Sequence, residues 1–60
     1  MTKFEVVDID QITPLQAACL KEAVAECKAS TDWSASVIEI IDAWTGELRA
    51  ILYPDDWAAA

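Results

Sequence analysis

The chain contains no histidine, a single glycine and only four basic residues among its 60. Each shortage removes a class of function. Without histidine the commonest general base is missing. Cys19 and Cys27 alone leave a tetrahedral zinc site short of ligands unless carboxylates or a second chain join in. Gly46 is the sole glycine, so no glycine-rich loop exists to cradle a phosphate. Ser30, Ser34 and Ser36 lack a visible activating partner, and a chain this short has little volume for a pocket of ~300 Å³ or more. The expectation is a protein that is not an enzyme and takes no metal or cofactor.

The shortage of bases leaves eleven acids against four, a net charge of −7 that repels nucleic acid and anionic membranes. No segment approaches the ~20 apolar residues of a membrane span. Residues 1–12 carry four charges without a continuous apolar stretch, which argues against a secretory signal. A cytoplasmic protein with no direct nucleic-acid contact is expected.

What is present is apolar. Hydrophobic residues make up 55% of the chain, which excludes disorder. A 60-residue domain buries roughly 60% of the surface that its unfolded chain exposes, and its core alone supplies perhaps ~3–5 kcal/mol. The apolar content exceeds the needs of one small core, so part of it belongs to an interface.

Along the chain, residues 3–9 are rich in β-branched and aromatic types and read as a strand. Thr13-Pro14-Leu15-Gln16 reads as a helix start, with Thr13 at the N-cap, Pro14 first in the helix and Gln16 closing a capping box. The helix would run to Ala29 with Cys19, Leu20, Ala23, Val24 and Cys27 on one buried stripe, Lys21 and Lys28 opposite, and Glu22 and Glu26 flanking. At ~1.5 Å rise per residue the two cysteines then lie about 12 Å apart, beyond the roughly 7 Å that a disulfide tolerates. Both are expected as reduced core residues.

Residues 37–53 admit two readings. Val37, Ile40, Ile41, Trp44 and Leu48 recur at helical spacing. Against this, four β-branched residues in 37–41 favour a strand. Two such runs joined by Trp44-Thr45-Gly46 suggest a hairpin with a G1 bulge at the glycine. The preferred register pairs Ala43 with Glu47, Asp42 with Leu48, Ile40 with Ala50 and Ile38 with Leu52, giving one apolar face for the helix. Ile41–Arg49, Glu39–Ile51 and Val37–Tyr53 then lie on the other face. The expected fold is α+β in the order β-α-β-β, one domain over residues 1–60, with a single helix on a three-stranded sheet. Pro54 ends the last strand, and residues 55–60 form a short helical turn or a frayed end.

A single helix covers one face of such a sheet. The second face would carry Val37, Ile41, Ile51 and Tyr53, with Val7 and Ile9, as an apolar patch fit for self-association. Residues 31–60 also hold six acids against one base and all three tryptophans. Asp32, Trp33, Trp44, Asp55, Asp56 and Trp57 are therefore the candidate partner-binding residues, since aromatics anchor interfaces and acids attract a basic surface. The functional expectation is a protein-binding module, an inhibitor or regulator of a larger protein, and a homodimer. The analogy, in size and charge alone, is to the small acidic inhibitors that phages encode against host and defence machinery. The alternative is a structural subunit that forms an obligate homo-oligomer through its apolar sheet face.

Overall fold

A computed structural model describes residues 2–58. The element order is β1 (Phe4–Asp8), β2 (Gln11–Pro14), α1 (Leu20–Ala29), β3 (Ile38–Asp42), β4 (Leu48–Leu52) and α2 (Asp55–Ala58). The strands form one antiparallel sheet in the order β2-β1-β3-β4. The class is α+β, as the sequence implied, but the sheet has four strands rather than three.

The extra strand comes from the segment that looked like a helix start. Val6 pairs with Thr13 and Glu5 with Pro14, and the Leu15 N–H donates to the Phe4 carbonyl at 2.9 Å. Leu15 and Ala17 are buried while Pro14, Gln16 and Ala18 are exposed. That period of two is extended backbone. Pro14 fits there because β2 is an edge strand and position 14 alternates with the Leu15–Phe4 bond, so its nitrogen faces the free border and not β1. The helix accordingly begins at Leu20 with Cys19 as its N-cap residue, and no side chain caps it.

Carboxylates from α1 hold the intervening loop instead. The Gln16 N–H donates to both carboxylate oxygens of Glu26, Oε1 at 2.9 Å and Oε2 at 3.0 Å. The Ala17 N–H reaches Oε1 at 2.9 Å, and the Ala18 N–H reaches Glu22 Oε2 at 3.2 Å. The two acids that flank the apolar stripe of α1 are thus the loop's hydrogen-bond acceptors.

The β1–β2 turn is a two-residue loop between Asp8 and Gln11. Ile9 occupies its first position with φ 43°, a conformation that glycine adopts freely and a β-branched residue resists.

The β3–β4 hairpin is present, but its loop is one residue longer than expected. The Asp42 N–H donates to the Glu47 carbonyl and the Gly46 N–H to the Asp42 carbonyl, each at 2.8 Å. Gly46 takes φ 76° to close the loop. Asp42 Oδ1 accepts the N–H groups of Trp44 at 2.8 Å and Thr45 at 3.1 Å. Those two bonds, helped by Arg49, hold the Asp42 carboxyl below its ordinary pKa.

Continued into the strands, a loop closed on Asp42 and Glu47 would set Ile40 opposite Arg49 and Ile38 opposite Ile51. A β-bulge prevents this. Ile41 pairs with Leu48 and Ile40 with Ala50, so Arg49 is the extra residue. The inner pairs Ile38–Leu52 and Ile40–Ala50 match the expected register; the outer pairs Asp42–Leu48 and Ile41–Arg49 do not form.

The core joins Phe4, Val6, Ile38, Ile40 and Leu52 from the sheet, Leu15 and Ala17 from the loop, and Ala23 and Cys27 from α1. Cys27 is fully buried, and burial, reinforced by the Glu26 charge, pushes its thiol pKa up to about 11. Cys19 is exposed, not in the core, because α1 starts after it. Both thiols are free.

Candidate functional site

Cross-strand register divides the sheet into two chemically distinct faces. Toward α1 lie Val6, Ile40 and Ala50 in one row, with Ile38 and Leu52 in another. The opposite face has two rows that cross all four strands. One reads Ile12, Val7, Glu39, Ile51; the other reads Pro14, Glu5, Ile41, Leu48. Ile12, Leu48 and Ile51 are exposed, while Val7 and Ile41 between them are half-buried by their neighbours. Val37 and Tyr53 continue the alternation just past the Ile38–Leu52 pair, and both are exposed. Glu5 and Glu39 are the two charges within these rows.

The C-terminal segment packs against the helix side and leaves this face open. Trp57 is half-buried against the core, and its indole N–H donates to the Ser30 carbonyl at 2.9 Å. That bond ties α2 to the end of α1. The Asp56 carboxylate accepts the Tyr53 N–H at 2.7 Å, which fixes the turn into α2. A tail folded back over the open face through Trp57 would have covered it. The structure puts Trp57 on the other side.

The interface residues expected from the sequence do gather. Val37, Ile41, Ile51 and Tyr53 share the open face, joined by Val7 as expected. Ile9 stands instead at the tip of the β1–β2 turn, 85% exposed. Two further residues, Ile12 and Leu48, belong to the face and were not anticipated. Ile12 is hidden in the sequence because Thr13-Pro14-Leu15-Gln16 directly after it suits a helix start, although Ile12-Thr13 is β-branched. Leu48 was missed because the bulge reverses its direction. The same bulge turns Arg49 away from Glu39: its guanidinium lies 5.9 Å from the Phe4 ring centroid and 3.7 Å from Asp42 Oδ2.

The partner-binding candidates separate into two groups. Asp32, Trp33, Asp55, Asp56 and Trp57 collect where the end of α1 meets α2, with Trp33 and Trp57 packed on the core and Asp32 and Asp55 exposed. Trp44 stands alone at the β3–β4 turn, at the opposite end of those strands and 66% exposed. It lines an open recess of about 440 Å³ together with Thr2, Glu5 and Ala43. The recess forms because β1 pairs antiparallel to β3, setting Phe4 beside Asp42, and the Ala43 N–H donates to the Lys3 carbonyl at 2.9 Å. Residues 59 and 60, at the end of the tail expected over 55–60, lie outside the described residues.

Among the described residues, no group of three or more His, Cys, Asp or Glu is placed to hold a metal ion. No helix among them is long and apolar enough to cross a membrane. In comparisons with known proteins, no family model, curated protein or solved structure matches the chain.

Proposed function

We propose that the chain is a small, non-catalytic protein-binding module whose working surface is the open face of its sheet. The observation that carries this reading is a four-stranded sheet with a helix on one side and exposed Ile12, Leu48, Ile51, Val37 and Tyr53 on the other. Leaving these side chains in water forgoes about 25 cal/mol for every Å² of apolar surface they could bury, and exposed apolar side chains gathered on one face, with polar groups among them, mark interfaces. The net charge of −7 supports a partner with a basic surface, which fits an inhibitor or regulator of a larger nucleic-acid-binding protein. Acting on such a partner in the manner of phage-encoded inhibitors, in the cytoplasm, belongs to the same proposal.

A second reading uses the same face to join copies of this chain into an obligate homo-oligomer. It is favoured by the exposed apolar residues alone and opposed by Glu5 and Glu39, which a face-to-face pair would bring near their own counterparts.

Light scattering on the eluting protein, with Ile12→Glu and Ile51→Glu variants as controls, tests both. A monomer whose captured cellular partner is lost in both variants and weakens with added salt supports the inhibitor reading. An oligomer that the variants dissociate, insensitive to salt, supports the assembly subunit. Partner capture unaffected by either variant would remove the open face from consideration.

A further inference from the structure

We infer that the recess between Trp44 and Glu5 is a socket for a cationic side chain, an arginine or lysine presented by a protein partner. The inference rests on the open face being the binding surface, because Glu5 belongs to both. Three observations converge on a cation.

The first is the lining. Trp44 presents an indole that the fold leaves 66% exposed, although the core takes up the other two tryptophans. An aromatic face and a carboxylate in one recess form the usual pairing for a guanidinium or ammonium group, which stacks on the ring and hydrogen-bonds the oxygens.

The second is the state of Glu5. Its cross-strand neighbours are Pro14 and Ile41, neither of which neutralises it. Among the described residues the only ion pair is Arg49 with Asp42, so none of them supplies Glu5 with a cation. Glu5 is a half-buried residue with apolar neighbours, and a charge beside such surface gains more from an incoming cation than one wholly surrounded by water.

The third is the distribution of the chain's own bases. Lys21 and Lys28 are carried on α1, on the far side of the sheet, and Arg49 is held against Phe4 and Asp42. Lys3, just before β1 and two residues from Glu5, is the one base on the Glu5 side of the strand, and it makes no ion pair with Glu5. Glu39, in the neighbouring row, extends the negative surface across the sheet. A second copy of this chain would bring eleven acids and few free bases to the socket. A basic partner complements it.

The socket is tested by nitrogen-15 NMR of the full chain, titrated with N-acetyl-arginine amide and, separately, with its neutral isostere N-acetyl-citrulline amide, both to millimolar concentration. Arginine should shift the Trp44 indole N–H and the Glu5 and Ala43 amides, and citrulline should shift them little. Glu5→Gln should weaken the arginine response by about two- to fivefold, and Trp44→Ala should abolish it. Both substitutions are outside the core, and unchanged dispersion of the remaining amides confirms the fold. Equal responses to the two probes, shifts elsewhere than the recess, or a Glu5→Gln variant that titrates like wild type would each overturn the socket. If the socket fails while Ile12→Glu and Ile51→Glu still abolish partner capture, the open-face reading survives without it. If the recess titrates as expected while those variants capture the partner normally, the recess takes a cation but the open-face reading falls, and with it the partner residue proposed to fill the socket.

Discussion

The two faces of this sheet are cut from the same strands, residue by alternate residue, yet they have opposite fates. On the helix side Phe4, Val6, Ile38, Ile40 and Leu52 are buried, and the face recruits Leu15 and Ala17 from a loop, Ala23 and Cys27 from α1, and Trp33 and Trp57 at its margin. Nothing comparable among the described residues covers the other side, where residues of the same types stay exposed. Isoleucine appears on both, so composition does not distinguish the faces. The difference lies in the carboxylates. Glu5 and Glu39 interrupt the open face, whereas on the helix side Asp42 is consumed by its own turn and by Arg49. An apolar surface interrupted by acids is poorly suited to a permanent core and is compatible with the basic partner proposed above.

The strongest way to break this comparison is to truncate matched residues. Ile40→Ala on the helix side should cost about 2–5 kcal/mol, most of the stability of so small a domain. Ile51→Ala on the open face should cost less than about 1 kcal/mol. Urea unfolding followed by circular dichroism checks both, and similar costs would mean that the open face is structural after all.

Alkaline pH probes the buried side alone. The Cys27 thiol titrates near its ordinary value of 9.0 when unfolded but at about 11 when folded, because burial disfavours the thiolate. The unfolded chain therefore loses its proton first, and stability falls as pH climbs from about 9 toward 11. The fall should be at most about 2–3 kcal/mol and should vanish in Cys27→Ala when each protein is compared with its own stability at pH 8. A slope that persists without the thiol would assign it elsewhere.

The smallest effect sharpens the comparison at its margin. Ile9 holds a positive φ and buries almost nothing, so Ile9→Gly should relieve about 1–2 kcal/mol of backbone strain, partly offset by glycine's greater freedom when unfolded. A net rise of the melting temperature by a few degrees is expected. A fall would show that the Ile9 side chain makes a contact worth keeping.

Much of the helix side was legible in the sequence. The apolar stripe of α1 and the inner pairs of the β3–β4 hairpin follow from periodicity, because one face had to be apolar for the helix to bury. The beginning of the helix was not legible. Thr-Pro-x-Gln suits a capping box and the end of an edge strand equally well, and the deciding partner, β1, is a tertiary contact. The bulge at Arg49 escaped for a related reason. A three-residue loop implies a register without a bulge, but the loop is held by the Asp42 carboxylate, which adds a residue that the strands must then absorb. Trp57 illustrates the limit most clearly: its hydrogen bond to Ser30 joins residues 27 positions apart, and no local pattern reports it. The open face was expected, but Ile12, Leu48 and Glu5 reached it only through β2, the bulge and the β1 pairing.

The Arg49 bulge has a consequence for how copies of the molecule can meet. The outer strands of a sheet offer unpaired backbone groups to any extended chain, and a regular, flat border invites lateral growth into fibres. Here neither border is regular. Pro14 denies one a donor, and the bulge twists the other and adds a cationic residue to it. Any association is thereby steered away from open-ended stacking and toward a discrete complex of fixed size.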